Sequence, residues 1–288
     1  MIVPDRLAGV TAAAAVPEQV VPYVRAVAGS QPQRVGSCVG YAFPSEFVLV
    51  GYPLHDPRDT FAMTAAVDQA LKLPGLRRIT VIGPVRPPQA PEGLPLIQDG
   101  YVSVPVPHPP PGQKLRNLLR RAGRELAIER EATCGGEHMA LIQSYLDGRL
   151  LAPGTRHIFQ QLPRYLETSS GSVMLSARLS DGRLAALSVG EFGSLHTAFY
   201  MFCFRHPGLA PPGSTDLLLA ALLEEARERG QARINLGLGV NAGVRFFKRK
   251  WGAVSFLPYV QVSWGPAAPK IFQRLRGFFG GGPARSSP

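Results

Sequence analysis

The stretch Arg233-Ile-Asn-Leu-Gly-Leu-Gly-Val-Asn-Ala-Gly-Val-Arg-Phe-Phe-Lys-Arg-Lys-Trp-Gly252 constrains the fold more than any other part of the chain. It reads as a short buried strand, a glycine-rich turn and a basic helix of one to two turns that stops at Gly252. A further strand follows over residues 254–262. Gly237 and Gly239 allow the backbone to turn or splay where a β-carbon would be strained. Phe246 and Phe247 can anchor the helix, whereas Arg245, Lys248, Arg249 and Lys250 cannot all be buried. Several cations therefore crowd the end of a strand, where open sheets bind ligands.

The elements upstream are regular from residue 127. Residues 127–133 alternate like a strand, 137–146 have helical spacing, and 156–166 read as a second helix after Pro153-Gly154. Strands at 172–179 and 184–191 flank the hairpin signal Ser180-Asp-Gly182. A third strand, 195–204, follows Phe192-Gly-Ser194. Pro211-Pro-Gly-Ser-Thr-Asp216 then opens a helix with Ser214 or Thr215 as N-cap, and Gly230 ends it.

This element order, with the local sequence at its end, resembles the acyltransferase fold shared by GNAT enzymes and FemAB-like aminoacyl transferases. In that group a Leu-Gly-type strand end leads into a short helix reading Phe-Lys-x-x-Phe/Trp-Gly. Phe247, Lys248, Trp251 and Gly252 match it position by position. The resemblance covers roughly residues 127 to 262 and implies an α/β (α+β) domain with a mixed, largely antiparallel sheet.

The N-terminal half carries a fainter echo. Residues 35–42 and 47–52 look like paired strands, 60–73 like an amphipathic helix ended by Pro74-Gly75, and 78–82 and 101–106 like buried strands. Strand, strand, helix, strand suggests a degenerate first copy, the tandem GNAT-like arrangement of FemAB-like proteins and of the catalytic part of phosphatidylglycerol lysyltransferases. The expected organisation is a degenerate domain over 1–112, a connecting basic helix over 113–126, an acyltransferase-like domain over 127–264, and a basic amphipathic segment with a disordered tail over 265–288.

Composition narrows the partners. The chain has 288 residues, 45% of them hydrophobic, and no apolar run approaches the roughly 20 residues that span a bilayer. The N-terminus lacks a basic region before its alanine run and reads as mature sequence, so the expected location is cytoplasmic, with peripheral membrane contact as an option. Cys38, Cys134 and Cys203 are far apart, and the six histidines show no paired ligand spacing, so no metal is expected. The formal net charge of +11 points to an anionic partner, such as an acidic carrier protein, tRNA or a phosphorylated donor. A genome-wide preference for Arg explains the arginines but not the scarcity of acids. Arg116, Arg120, Arg121 and Arg124 on the connecting helix, with Arg245 and Lys250, form the expected anionic-partner patch. tRNA is the less favoured partner, because no aromatic-rich single-strand platform accompanies the cations.

The resemblance implies that two parallel strands, 195–204 and 233–236, splay apart and admit an activated acyl donor. Backbone amides at the splay would polarise the reacting carbonyl, and the amine acceptor would need a base. Lys248 is the foremost catalytic candidate, since the matching lysine of FemAB-like relatives is implicated near the donor's reacting end; a solvated lysine on a basic helix is the other reading. Glu191, at a strand end, is a candidate base or a solvated hairpin carboxylate. His196 and Tyr200 share one face of the next strand and are candidates to orient an acceptor or relay a proton, or core residues.

Asn235, Gly237 and Gly239 are placed at the donor wedge, and Asn241 as a helix cap. Arg205 and Gly208 fit the start of the Arg/Gln-x-x-Gly-x-Gly/Ala loop with which many GNAT enzymes hold the coenzyme A pyrophosphate. Pro211 and Pro212 depart from that loop and remove amide donors. Acyl-CoA is therefore in doubt, and an acyl-carrier thioester or aminoacyl-tRNA gains as donor. The expected function is N-acyl transfer to an amine, the alternative a catalytically inactive binding module for an anionic partner. The segment 269–280, with apolar residues at helical spacing and three cations, reads either as an extra packed helix or as a contact with an anionic bilayer.

Overall fold

The computed structural model describes residues 5–44, 46–151, 153–239 and 241–265. The segment 269–280 and the tail lie outside the described residues. Two helices, α1 (Asp5–Ala12) and α2 (Val21–Ala28), flank a 3-10 turn at Pro17–Gln19. Three antiparallel strands follow, β1 (Gln31–Val35), β2 (Cys38–Ala42) and β3 (Glu46–Val50). Helix α3 (Thr60–Ala70) leads to β4 (Arg78–Gly83), which runs parallel to β3, and β5 (Ile97–Pro105) closes the first half.

Helix α4 (Gln113–Glu125) connects to β6 (Leu126–Glu131) and three helices, α5 (Gly136–Asp147), α6 (Pro153–Gln160) and α7 (Leu162–Thr168). Strands β7 (Ser172–Leu179), β8 (Leu184–Glu191) and β9 (Thr197–Arg205) are again antiparallel. Helix α8 (Ser214–Glu228) then leads to β10 (Arg233–Asn235), parallel to β9, and α9 (Ala242–Lys250) to β11 (Val254–Trp264). Three antiparallel strands, a helix and a parallel strand thus occur twice.

All described strands belong to one 11-stranded sheet, ordered β1-β2-β3-β4-β11-β5-β10-β9-β8-β7-β6. The last strand of each half crosses into the other: β5 pairs with β10, β11 pairs with β4, and β5 and β11 pair antiparallel at the centre. The boundary between 1–112 and 127–264 therefore divides the sequence but not the sheet.

Alternation along the strands sends their side chains to two faces. One face packs a continuous core with α1, α2, α5, α6 and α7, where Tyr23 meets Tyr165 and Phe202 edge to face at 5.3 and 5.9 Å. The other face divides into a cluster under α3 and a cluster under α4, α8 and α9.

Four local expectations are corrected by the structure. The strand expected over 35–42 is shorter, Cys38–Ala42, and forms the second arm of a hairpin with Gln31–Val35, turned at Gly36 with φ 56°. The helix expected over 156–166 is two helices, α6 and α7. The N-cap of α8 is Gly213, with φ 92°, and Ser214 sits inside the helix with its hydroxyl donating to the Pro211 carbonyl at 2.5 Å. His196 precedes β9 and is exposed, so it does not share a strand face with Tyr200.

Candidate active site

The parallel pair β9/β10 holds register for only three positions, Thr197 to Phe199 against Arg233 to Asn235. Its end has a local cause. The Asn235 side chain accepts a hydrogen bond from the Gly237 amide at 2.8 Å, a turn that draws the chain out of the ladder. Gly237 then takes φ 78°, which a residue with a β-carbon rarely adopts. The chain stays with β5 instead: the Leu236 amide donates to the Val102 carbonyl at 2.9 Å, and the Val102 amide to the Gly237 carbonyl at 3.3 Å. Strand β9 continues to Arg205, so among the described residues its edge from Tyr200 onward has no strand partner on that side. A wedge opens between β9 and residues 236–239.

The β10 rim of the wedge is fixed. Asn235 Nδ2 donates to the Ala15 carbonyl at 3.0 Å and ties the turn to the segment between α1 and α2. The Asp99 carboxylate accepts from the Gly239 amide at 3.0 Å, and a β-carbon at Gly239 would lie 3.0 Å from that carboxylate. Asn241 caps α9 by accepting from the Val244 amide at 2.9 Å.

Lys248 lies under this loop. Only 6% of it is exposed, and its Nζ donates to the Leu238 carbonyl. Burial brings its pKa down to about 8, against a smaller opposing pull from Asp99. A shift of that size corresponds to about 3 kcal/mol of disfavour for the charged form. The ammonium has three donors, and one is committed to Leu238. Val244, Phe247, Lys248 and Trp251 follow the i, i+3, i+4, i+7 spacing, which puts the lysine on the packed stripe of α9.

Tyr200, half-buried on β9, stacks on Phe247 with ring centroids 6.1 Å apart. Burial raises its hydroxyl pKa well above the usual value, so it is a neutral phenol. Beneath this pair, Asp216 in the first turn of α8 accepts from Trp251 Nε1 at 2.9 Å and pairs with Lys250 at 2.6 Å. Lys250 is thus committed inside the protein. Asp99 and Asp216, one on a strand and one in a helix turn, take parts in this site that no sequence spacing announces.

The remaining candidates are placed as follows. Glu191 is fully buried, accepting from Tyr165 at 2.5 Å, Ser169 at 2.6 Å and the Gly193 amide at 2.8 Å. It is not a solvated hairpin carboxylate, and both of its oxygens already accept hydrogen bonds inside the protein. Arg205 ends β9 and is exposed, and Gly208 is exposed in the turn before α8, where His206 Nδ1 accepts from the Gly208 and Leu209 amides, both at 3.1 Å. Arg116, Arg120, Arg121, Arg124 and Arg245 are exposed. Helix α4 packs its Leu118 and Ala122 against Gly213, and the end of α9 meets Asp216, so both basic helices converge on the start of α8.

One group of potential metal ligands, Glu131, Glu137 and His138, lies away from the wedge. Arg178 donates to both of its carboxylates, so a cation already neutralises them. Among the described residues, no helix is long and apolar enough to cross a membrane.

Solved structures share this fold. The C-terminal domain (DUF2156) of an Agrobacterium fabrum protein described as a lysylphosphatidylglycerol synthetase is similar at TM-score 0.61 and 17% identity, over 90% of either chain. FemX gives TM-score 0.65 at 11% identity, over 90% of this chain and 96% of that one. A GCN5-related N-acetyltransferase from Kribbella flavida gives 0.51 at 14%, over 93% and 97%. No family model matches the chain, and no curated protein matches it in sequence. The fold is a tandem GNAT-like fold, spanning nearly the whole length of these neighbours.

Proposed function

We propose that the chain is an N-acyltransferase that moves an acyl or aminoacyl group from an activated donor to an amine at the β9/β10 wedge. The observation that carries this reading is the open edge of β9 beside a buried lysine. Unpaired amides on that edge can donate to a carbonyl oxygen as it gains charge, and Lys248 adds positive charge in a low-dielectric setting. The proton lost by the amine goes to solvent or to a neutral lysine, a form accessible because burial brings the Lys248 pKa to about 8.

The donor is an acyl-carrier thioester or aminoacyl-tRNA rather than a coenzyme A ester. Three features favour that choice. Pro211 and Pro212 lack amides, His206 takes up the amides of Gly208 and Leu209, and α4 covers the Gly213 end of α8. The exposed arginines of α4 would meet an acidic carrier or a tRNA. A neighbour described as a lysylphosphatidylglycerol synthetase shares the fold, which supports transfer of an aminoacyl group.

The test is incubation with acyl-CoA, acyl-carrier and aminoacyl-tRNA donors, each followed for donor consumption with a panel of amines and lipid acceptors. Consumption of a carrier or tRNA donor is expected. Binding without turnover would favour the inactive binding module, and neither binding nor turnover would remove the enzyme reading.

A further inference from the structure

The backbone amides of residues 236–239 can be accounted for one by one, since a buried N–H group nearly always has an acceptor. Leu236 donates to the Val102 carbonyl, Gly237 to the Asn235 side chain, and Gly239 to the Asp99 carboxylate. Among the described residues, the Leu238 amide has no acceptor.

Its direction follows from peptide geometry. In a trans peptide the carbonyl and the next N–H point to opposite sides. The Gly237 carbonyl accepts from the Val102 amide on β5, and the strand following Arg233 lies between β5 and β9. The Leu238 N–H therefore points away from β5 and into the wedge, towards the open edge of β9. Gly237 is half-buried and has no side chain to cover this peptide, while the Leu238 side chain is set in the core.

The next peptide, Leu238–Gly239, is held at both ends by opposite charges. Its carbonyl accepts from the Lys248 ammonium, and its N–H donates to Asp99 at 3.0 Å. Asp99 comes from β5 and is exposed, and its Oδ1 also accepts from the Gly100 amide at 2.7 Å. Hydrogen bonds to a charged partner are stronger than neutral ones. Val102 fixes the peptide before Leu238, and the Asp99–Lys248 pair fixes the peptide after it.

We propose that Asp99 is a positioning residue for transfer: with Lys248 it fixes the Leu238–Gly239 peptide, so that the Leu238 amide donates to the carbonyl oxygen of the acyl group from the rim opposite β9. The proposal rests on the transferase reading of the wedge. Donors on two rims then bracket an oxygen that gains charge as the amine attacks and gives it up as the donor's leaving group departs.

The test is NMR of the full chain carrying carbonyl-labelled glycine and nitrogen-labelled leucine, which selects the amides of leucines that follow a glycine: Leu76, Leu94, Leu209 and Leu238. Leu238→Ile, which lacks the signal, assigns it. The probe is S-acetyl-N-acetylcysteamine, a small thioester with the reacting end of an acyl-carrier donor. Its S-ethyl thioether, which lacks that carbonyl, is the comparison. Saturable downfield movement of the Leu238 signal with the thioester is expected, with the other three signals unmoved and no matching response to the thioether.

Asp99→Ala is expected to lose this response and to slow single-turnover transfer from acyl-carrier or aminoacyl-tRNA donors about tenfold or more, with donor affinity within about twofold. Asp99→Asn, whose carbonyl can still accept from Gly239, is expected to recover most of that loss. Circular dichroism checks the fold of each variant, and if Asp99→Ala is not folded the wild-type titration decides. A wild type that consumes donor while its Leu238 signal stays put would overturn the proposal alone. So would an equal response to the thioether, or a folded Asp99→Ala protein with wild-type rate and response. A wild type that shows neither response nor consumption would overturn the transferase reading and the proposal together.

Discussion

The two parallel-strand junctions of this molecule have the same topology and opposite interiors. At β3/β4 the ladder holds for five positions, and the Gly51 amide extends it by donating to the Ile82 carbonyl at 2.6 Å. The Met63 side chain of α3 lies directly on Gly51, just past β3, and on Gly83, the last residue of β4: a β-carbon at either would come within 2.9 or 2.8 Å of it. At β9/β10 the ladder stops after three positions, because Asn235 turns the chain and Gly237 accepts the resulting backbone conformation. One junction is closed by an apolar side chain and the other is held open by polar ones. The same strand order can therefore serve as scaffold or as wedge, depending on a few residues at the strand ends.

The largest stability effect is expected at the closed junction. Met63→Ala removes the plug and should cost roughly 2–5 kcal/mol, read by urea denaturation. Donor consumption per folded molecule should stay near wild type, and a matching loss of activity would break the distinction between the junctions. Two buried ionisable groups give pH signatures of about 3 kcal/mol each. Glu18 has a raised folded pKa of about 7, so its contribution is present below about pH 4.5 and is lost as pH rises to about 7. Lys248 has a depressed folded pKa of about 8, so stability should rise between about pH 8 and pH 10.5. Denaturation across pH should show both slopes, with Glu18→Gln abolishing the first and Lys248→Met the second.

A smaller effect is expected from Asn235→Ala, which removes acceptor and donor at the turn and should cost about 1–3 kcal/mol. Hydrogen exchange at residues 236–239 should rise with it. Unchanged exchange would mean that glycine geometry alone holds the wedge open. Smallest for the fold is charge reversal at Arg120, Arg121 and Arg124, all exposed on α4. Stability should move by no more than about 0.5 kcal/mol per site, while carrier or tRNA binding weakens and loses salt dependence.

Much of the second half was legible because its elements are punctuated. Gly182, Gly213, Gly230 and Gly252 sit at turns or helix ends with positive φ, and hydrophobic periodicity does the rest. The asparagine cap of α9 was legible too. Helices α1 and α2 were not, since an alanine run followed by Val-Pro segments gives no single periodicity. The exchange of β5 and β11 was invisible because element order does not name pairing partners.

At the site, Lys248 could be found by motif, and its burial follows from sharing a helical stripe with Val244, Phe247 and Trp251. Glu191 was harder, because the Tyr165 and Ser169 hydroxyls that satisfy it come from a helix and a loop more than twenty residues away. Glu18 and Asp99 had no signal at all: each is a lone acid whose meaning depends on neighbours brought by other strands.

The most direct test of the contrast between the junctions is single-turnover transfer by the full chain with the donor that the screen identifies. Wild type, Lys248→Met and Met63→Leu would be compared at pH 7. Lys248→Met is expected to lose about a hundredfold to a thousandfold in rate while keeping or gaining stability, and Met63→Leu to stay within about twofold. Equal losses in the two variants, or full activity in Lys248→Met, would contradict the assignment of the open junction as the reacting site.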